Sequence, residues 1–496
     1  MRQSGVLMHI TSLPGPYGVG TMGKHAYEFV DFLKAAGQSC WQILPLTPTG
    51  YGNSPYQSCS AFAGNPYLID LELLAQKGLL TRQELDAVNW GTDETRVDFG
   101  ALYAHKMNVL RKAFQRHGST EDFVRFKAEN DWWLPEFAVY MVLKDHFGGK
   151  PWYAWPDDLR HWNFSAAMDA AVAYGGYEGY QFHCFVQYLF FQQWDALHSY
   201  AHEKGISIIG DVPIYVPYDS VDVWIHPELF QLDHNLIPTD VAGVPPDGFT
   251  EDGQLWGNPL YRWETHEADG FSWWLRRMRA AGRLYDTVRF DHFRGLESYW
   301  AVPYGDTTAR NGRWVKGPGS DLICAITCSL PRLRLIAEDL GYLTEEVLSM
   351  RDDAGLPGMK ILEFAFDSRE PSDYLPHTYT PNAVCYTGTH DNMTMGQCFE
   401  TCSPDAKAYA MEYMNLNEAE GLVWGAIRTC LSCVCDLCVI PMQDLLALGG
   451  EARMNFPGTM SDNNWTWRAK DGIIAKDLAQ RLRRLTALYG RLGNQK

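Results

Sequence analysis

The stretch QYLFFQQWDALHSYAHEKGISIIGDVPIYV, residues 187–216, decides how the chain folds. In its first part, apolar residues recur at helical spacing until Gly205, a residue suited to stop a helix. Its second part, ISIIGDVPIYV, is a near-continuous apolar run, the pattern of a parallel strand buried on both faces. Seven further β-rich segments recur, most of them near-continuous apolar runs: GVLMHI (5–10), CWQILPL (40–46), TVRFDHF (287–293), LRLIAEDL (333–340), MKILEFAF (359–366), AVCYTGTHD (383–391) and CVIPMQDLL (438–446). Helical patterns such as HAYEFVDFLKAAG (25–37) lie between most of them. Eight strand–helix units predict an α/β fold, a (β/α)8 TIM barrel.

The spacing of the segments locates the insertions. A single barrel over 1–496 is expected, with a mostly helical insertion at 72–205 between the second and third strands. A loop-rich insertion at 217–285 follows the third strand, and a helical one at 392–435 follows the seventh. The first of these carries RQELDAVNW, ALYAHKMNVLRKAFQRHG and EFAVYMVLKDHFG; the second carries the Pro/Gly/Trp-rich run AGVPPDGFTEDGQLWGNPLYRW (242–263). A helix at 475–491 completes the barrel and leaves no room for a C-terminal β-domain.

Composition excludes several functions. The formal charge of −18 argues against a nucleic-acid or anionic-membrane partner. The N-terminus lacks a signal-peptide h-region, and no apolar run reaches the ~18–20 residues of a membrane span. A cytoplasmic protein with reduced cysteines is expected. Cys430, Cys433, Cys435 and Cys438 form two CxxC pairs, but only Val434 separates them, whereas zinc ribbons need a long loop. They read as small buried hydrophobes.

Catalytic groups in such barrels stand at the C-terminal ends of strands. Those ends carry Asp211, then Arg289, Asp291, His292 and Arg294, then Glu338 and Asp339, then Glu363 and Asp367, then His390 and Asp391. Carboxylates inside apolar strands cost several kcal/mol unless paired or functional. Neither Cys/His metal ligands nor a Gly-rich phosphate loop accompanies them, which points to glycosyl chemistry. Retaining cleavage needs a carboxylate nucleophile and a protonated carboxyl acid roughly 5–5.5 Å apart. Asp291 and Glu338, on neighbouring strands, are expected to meet across the mouth. Arg289 shares a strand face with Asp291 and should keep it ionised. Glu338 should sit in a drier place that raises its pKa. Asp391 can bind sugar hydroxyls. These residues alone fit an α-glucan hydrolase as well as a transferase.

The motifs resemble the α-amylase superfamily, and within it the 4-α-glucanotransferases called amylomaltases or disproportionating enzymes, glycoside hydrolase family 77. The stretches that carry the resemblance are GVLMHITSLPGPYGVG, LPLTPTGYGNSPYQSCSAFAGNPYLIDL, GDVPIYV, GQLWGNPLYRW, RFDHFRG, IAEDLG, CYTGTHDN and IPMQDLLALGGEARMNFPGT. The resemblance implies that Asp291 is the nucleophile, Glu338 the general acid/base and Asp391 the transition-state stabiliser. It marks Ser54, Tyr56, Asp211, Trp256, Asn258, Arg289, His292, Asp367 and His390 as substrate-binding. It implies a maltooligosaccharide donor, a glucose or glucan acceptor, and neither cofactor nor metal. It does not fix a monomer or a homodimer. An α-amylase-type hydrolase is the first alternative and an inactive glucan-binding barrel the second. Four residues depart from the family pattern: Gly248, and Met393, Met395 and Gln397 after THDN.

Overall fold

The computed structural model describes residues 2–246, 250–366 and 372–492. Among the described residues there are twelve strands: β1 (Gln3–Leu7), β2 (Cys40–Gln42), β3 (Ser207–Val212), β4 (Asp240–Val244), β5 (Gln254–Pro259), β6 (Thr287–Phe290), β7 (Ser298–Pro303), β8 (Arg313–Lys316), β9 (Arg334–Ala337), β10 (Gly358–Ile361), β11 (Ala383–Tyr386) and β12 (Leu437–Pro441). Eight of them form one all-parallel sheet in the order β10-β11-β12-β1-β2-β3-β6-β9. This is the (β/α)8 barrel, and each of the eight apolar segments supplies one strand. The strands are shorter than the runs that announced them. CWQILPL contributes only Cys40–Gln42, and MKILEFAF leaves the sheet at Leu362 for a 3-10 turn through Phe366.

The barrel closes between β9 and β10 without a regular ladder. One backbone bond, Ala337 N–H to Pro357 C=O at 3.0 Å, crosses the seam. The Asp339 carboxylate supplies another link, accepting the Met359 amide at 2.7 Å while pairing with Arg351. Gly358 makes this approach feasible, because a Cβ there would stand 2.3 Å from the Asp339 carboxylate.

Register explains how polar groups reach the mouth. Asp211 of β3 lies opposite Arg289 of β6, so both side chains share the inner face. Their neighbours Val288 and Phe290 are fully buried on the other face, where Phe290 stacks on Trp274 of the helix Ser272–Leu284 at 5.6 Å.

The segment between β2 and β3 ends in the helix Phe164–Glu203, kinked at Gly176 where φ is +66°. Beyond β3 the structure adds an element that the sequence reading lacked. β4, β5, β7 and β8 form a second, antiparallel sheet in the order β5-β4-β7-β8. It straddles β6 in the chain and stands beside the barrel mouth. Helices Met395–Thr401, Pro404–Tyr413 and Leu422–Ser432 fill the segment between β11 and β12. Among the described residues no strand follows β12. No helix among them is long and apolar enough to cross a membrane. Cys430, Cys433, Cys435 and Cys438 are all buried and unpaired.

Candidate active site

At the C-terminal end of β6, Arg289 holds two carboxylates. Its Nη1 donates to Asp211 Oδ2 at 2.6 Å and to Asp291 Oδ1 at 2.8 Å. Arg289 and Asp211 are buried, and the Asp291 side chain keeps 25% of its surface exposed, toward the mouth. The chain then turns sharply. His292 adopts a left-handed conformation with φ +51°, and its amide donates to Glu338 Oε2 at 2.7 Å. One peptide unit therefore ties the residue after Asp291 to the carboxyl at the end of β9.

Burial pushes Glu338 up to about 8, against Arg289 and with the charge of Asp291 adding to it. Burial also raises Asp291 from its ordinary value; Arg289 pulls it down and Asp391 pushes it up. The ion pair expected of Arg289 is formed, but burial outweighs it. Like charges confined together share protons. Arg289 hydrogen-bonds Asp291, so its charge favours the ionised form of that carboxylate.

Tyr56 connects the other half of the site. Its hydroxyl lies 2.9 Å from Asp211 Oδ2 and 2.9 Å from His390 Nε2. His390 Nε2 is in turn 3.4 Å from Asp391 Oδ2. Burial lowers the pKa of His390, so it is neutral at pH 7. Asp391, at 39% side-chain exposure, is the most open of the three candidate catalytic carboxylates. Asn455 Nδ2 donates to its Oδ1 at 2.6 Å, and Arg453 donates to its backbone carbonyl at 3.0 Å. Neither Asn455 nor Arg453 was singled out from sequence, although both lie in EARMNFPGT; nor was Trp465, whose ring lies 5.7 Å from Tyr56 and 5.8 Å from His390.

The remaining expected residues divide. Trp256, on edge strand β5, packs edge-on against His292 at 4.7 Å, and burial drops His292 to about 3, so it is neutral. Asn258 is buried two residues on, and Gln57 donates to it at 3.4 Å. Ser54 accepts the Tyr56 amide at 3.2 Å and so holds the turn that presents Tyr56. Asp367 and Gly248 lie outside the described residues. A cavity of about 420 Å³ shares Tyr56 and Asp211 with this site, but none of Asp291, Glu338 and Asp391 lines it.

The stretch after Asp391 has a structural account. Thr394 caps the helix Met395–Thr401 by accepting the Gln397 amide at 3.1 Å. Met395 is 1% exposed, and its amide donates to Asp444 at 2.8 Å. The Met393 amide points at Glu363 Oε1, 3.4 Å away. Met395 is thus core packing, and Met393 sits beside a buried carboxyl that burial raises to about 7.

A cluster of barrel-end carboxylates with one raised acid is shared by glycoside hydrolases and glucan transferases. Comparison with known proteins decides between them. The family model described as 4-alpha-glucanotransferase matches residues 8–474. The chain belongs to that family. A 4-alpha-glucanotransferase of Clostridium butyricum is 47% identical over 491 residues, covering 98% of this chain and 100% of that one. One from Thermus thermophilus is 48% identical over 504 residues, covering 99% of each chain. Among solved structures, an amylomaltase from Streptococcus agalactiae in complex with acarbose superposes with a TM-score of 0.95 at 41% identity, covering 99% of this chain and all of that one. The family's transferase chemistry, not that of a hydrolase or an inactive barrel, is therefore the one this site has to perform.

Proposed function

We propose that this site transfers α-1,4-glucan segments between maltooligosaccharides by double displacement. Glu338 protonates the glycosidic oxygen while Asp291 attacks C1, which releases the reducing-end fragment and leaves a covalent glucosyl–enzyme. Glu338, now a base, takes the proton from the 4-hydroxyl of an incoming glucose or glucan, whose oxygen displaces Asp291. Two inversions retain the α configuration. Asp391 and His390 grip the sugar of the developing oxocarbenium ion, and Asn455 holds Asp391 in place. The observation that carries the assignment is the asymmetry made by Arg289: bonded to Asp291 at 2.8 Å, with Glu338 raised to about 8.

Transfer requires the acceptor to beat water at tens of molar, through bound geometry and partial water exclusion. Trp256, brought over His292 by β5, is the side chain best situated to seat and cover it. The cytoplasm is the compartment this reading assigns, where the twelve cysteines would stay reduced. Incubation with maltotriose tests the reaction. Glucose plus maltodextrins longer than the substrate is the expected product set. Maltose and glucose alone, with stoichiometric new reducing ends, would sink transfer in favour of hydrolysis. Asp291→Asn should abolish turnover while maltodextrin binding persists; surviving activity removes Asp291 from the nucleophile's role.

A further inference from the structure

We infer that His198, His202 and Asp286 form a binding site for a divalent transition metal, on the face of the barrel opposite the candidate active site. His198 and His202 are one turn apart on the helix Phe164–Glu203 and so share a face. Both direct Nε2 at the Asp286 carboxylate, at 3.4 Å and 2.9 Å from Oδ2. All three ligand atoms lie within 4.8 Å of one another, and the two imidazole centroids are 4.2 Å apart. A tetrahedral ion with bonds of 2.0–2.1 Å needs ligand–ligand edges of about 3.3 Å. The observed separations straddle that length, so a metal can enter with little movement of the side chains.

The carboxylate is held for this task. Asp286 Oδ2 accepts the Ile208 amide at 2.7 Å, and the Asp286 amide donates back to Ile208 C=O at 3.0 Å. Trp194, one turn before His198, stacks on its ring at 5.6 Å. The His202 side chain is 48% exposed, which gives water access to a fourth coordination position. Two imidazoles and one carboxylate suit Zn²⁺, Co²⁺ or Ni²⁺ better than Mg²⁺ or Ca²⁺.

Asp286 precedes β6, whereas Asp291 follows it, which puts roughly 15 Å of strand between the two sites. The metal therefore takes no part in glucan transfer. It clips the helix that leads into β3 onto the start of β6. Because it binds the folded chain, it raises apparent stability as its concentration rises.

The test uses the full chain stripped with chelator and titrated with Zn²⁺ and with Co²⁺ alone. The expected result is one equivalent bound, a raised melting temperature, and cobalt d–d bands without the thiolate charge-transfer band that the cysteines would give. His202→Ala and, separately, His198→Gln should each weaken binding by at least about tenfold, with maltotriose transfer unchanged. Failure of Co²⁺ to bind overturns the site. So does binding with thiolate character, or binding that both variants retain at parental affinity. Because the readout is metal affinity and spectrum, failure here leaves the transferase reading untouched.

Discussion

At the scale of single residues, the site runs on burial that the chain tolerates at a cost. Glu338 has a folded pKa of about 8 against an ordinary 4.5. A carboxyl raised in this way is accommodated fully below 4.5, and the stability it allows is lost as pH rises through about 8. Glu338→Gln should therefore unfold at higher denaturant than the parent above pH 8, by about 1–3 kcal/mol, while losing transferase turnover. The same value sets the alkaline limb of activity: kcat/KM for maltotriose should fall as pH passes about 8, where the acid loses its proton. A pH–rate profile flat through that range would remove Glu338 from the acid's role. Tyr56 offers a second test. Tyr56→Phe deletes the hydroxyl between Asp211 and His390, leaving both buried groups short of a partner. Stability should drop by about 1–3 kcal/mol, and kcat/KM by about 10–100-fold, measured by urea unfolding and by glucose release from maltotriose. Asp291, Glu338, Asp391 and Arg289 stand out in the sequence because charge at the end of an apolar strand is conspicuous, whereas Tyr56, in a loop, is marked only by the resemblance of its motif. Asn455 and Arg453 do not stand out. They meet Asp391 from 64 and 62 residues away, on a loop with no periodic signal.

At the scale of elements, the eight barrel strands could be read because a parallel strand covered on both faces is apolar throughout. The second sheet could not. β5 carries Gly257 and ends on Pro259, features that demote a run to loop or edge strand. β8 is four residues long and largely exposed, with charged residues at both ends. β4 and β7 pair across an intervening barrel strand, so no local hairpin pattern announces them. This sheet delivers Trp256, so part of the site's cover was hidden with it. The β9–β10 seam makes a sharper prediction. Asp339 sits next to Glu338, and both carboxylates stand at the end of the same apolar segment in the sequence. The structure turns Asp339 into the seam's fastener, bonded to Met359 and Arg351. Asp339→Ala strands a buried amide and a guanidinium, and should cost about 3–5 kcal/mol. Urea unfolding should report that loss. An unchanged midpoint would mean that the seam closes by packing alone.

At the scale of the whole molecule, an acidic protein acts on an uncharged substrate, and the two facts are separable by salt. The net charge is −18 and the pI about 5.3, so surface carboxylates repel one another at pH 8. The charges proposed to do chemistry are a different population: Arg289 and Asp211 are almost wholly buried, and their attraction is screened little. Raising NaCl from roughly 0.02 to 0.5 M shortens the Debye length from about 20 to about 4 Å. Surface repulsion should fade, and the thermal midpoint at pH 8 should rise by a few degrees. A neutral glucan is not steered by the surface field, so kcat/KM for maltotriose should move by less than about twofold over the same range. The two readouts are expected to part company in one titration. A steep loss of kcat/KM with salt, in step with the change in midpoint, would mean that the acidic surface itself takes part in capturing substrate. In that case the buried Arg289 network could not be the sole electrostatic machinery of the site.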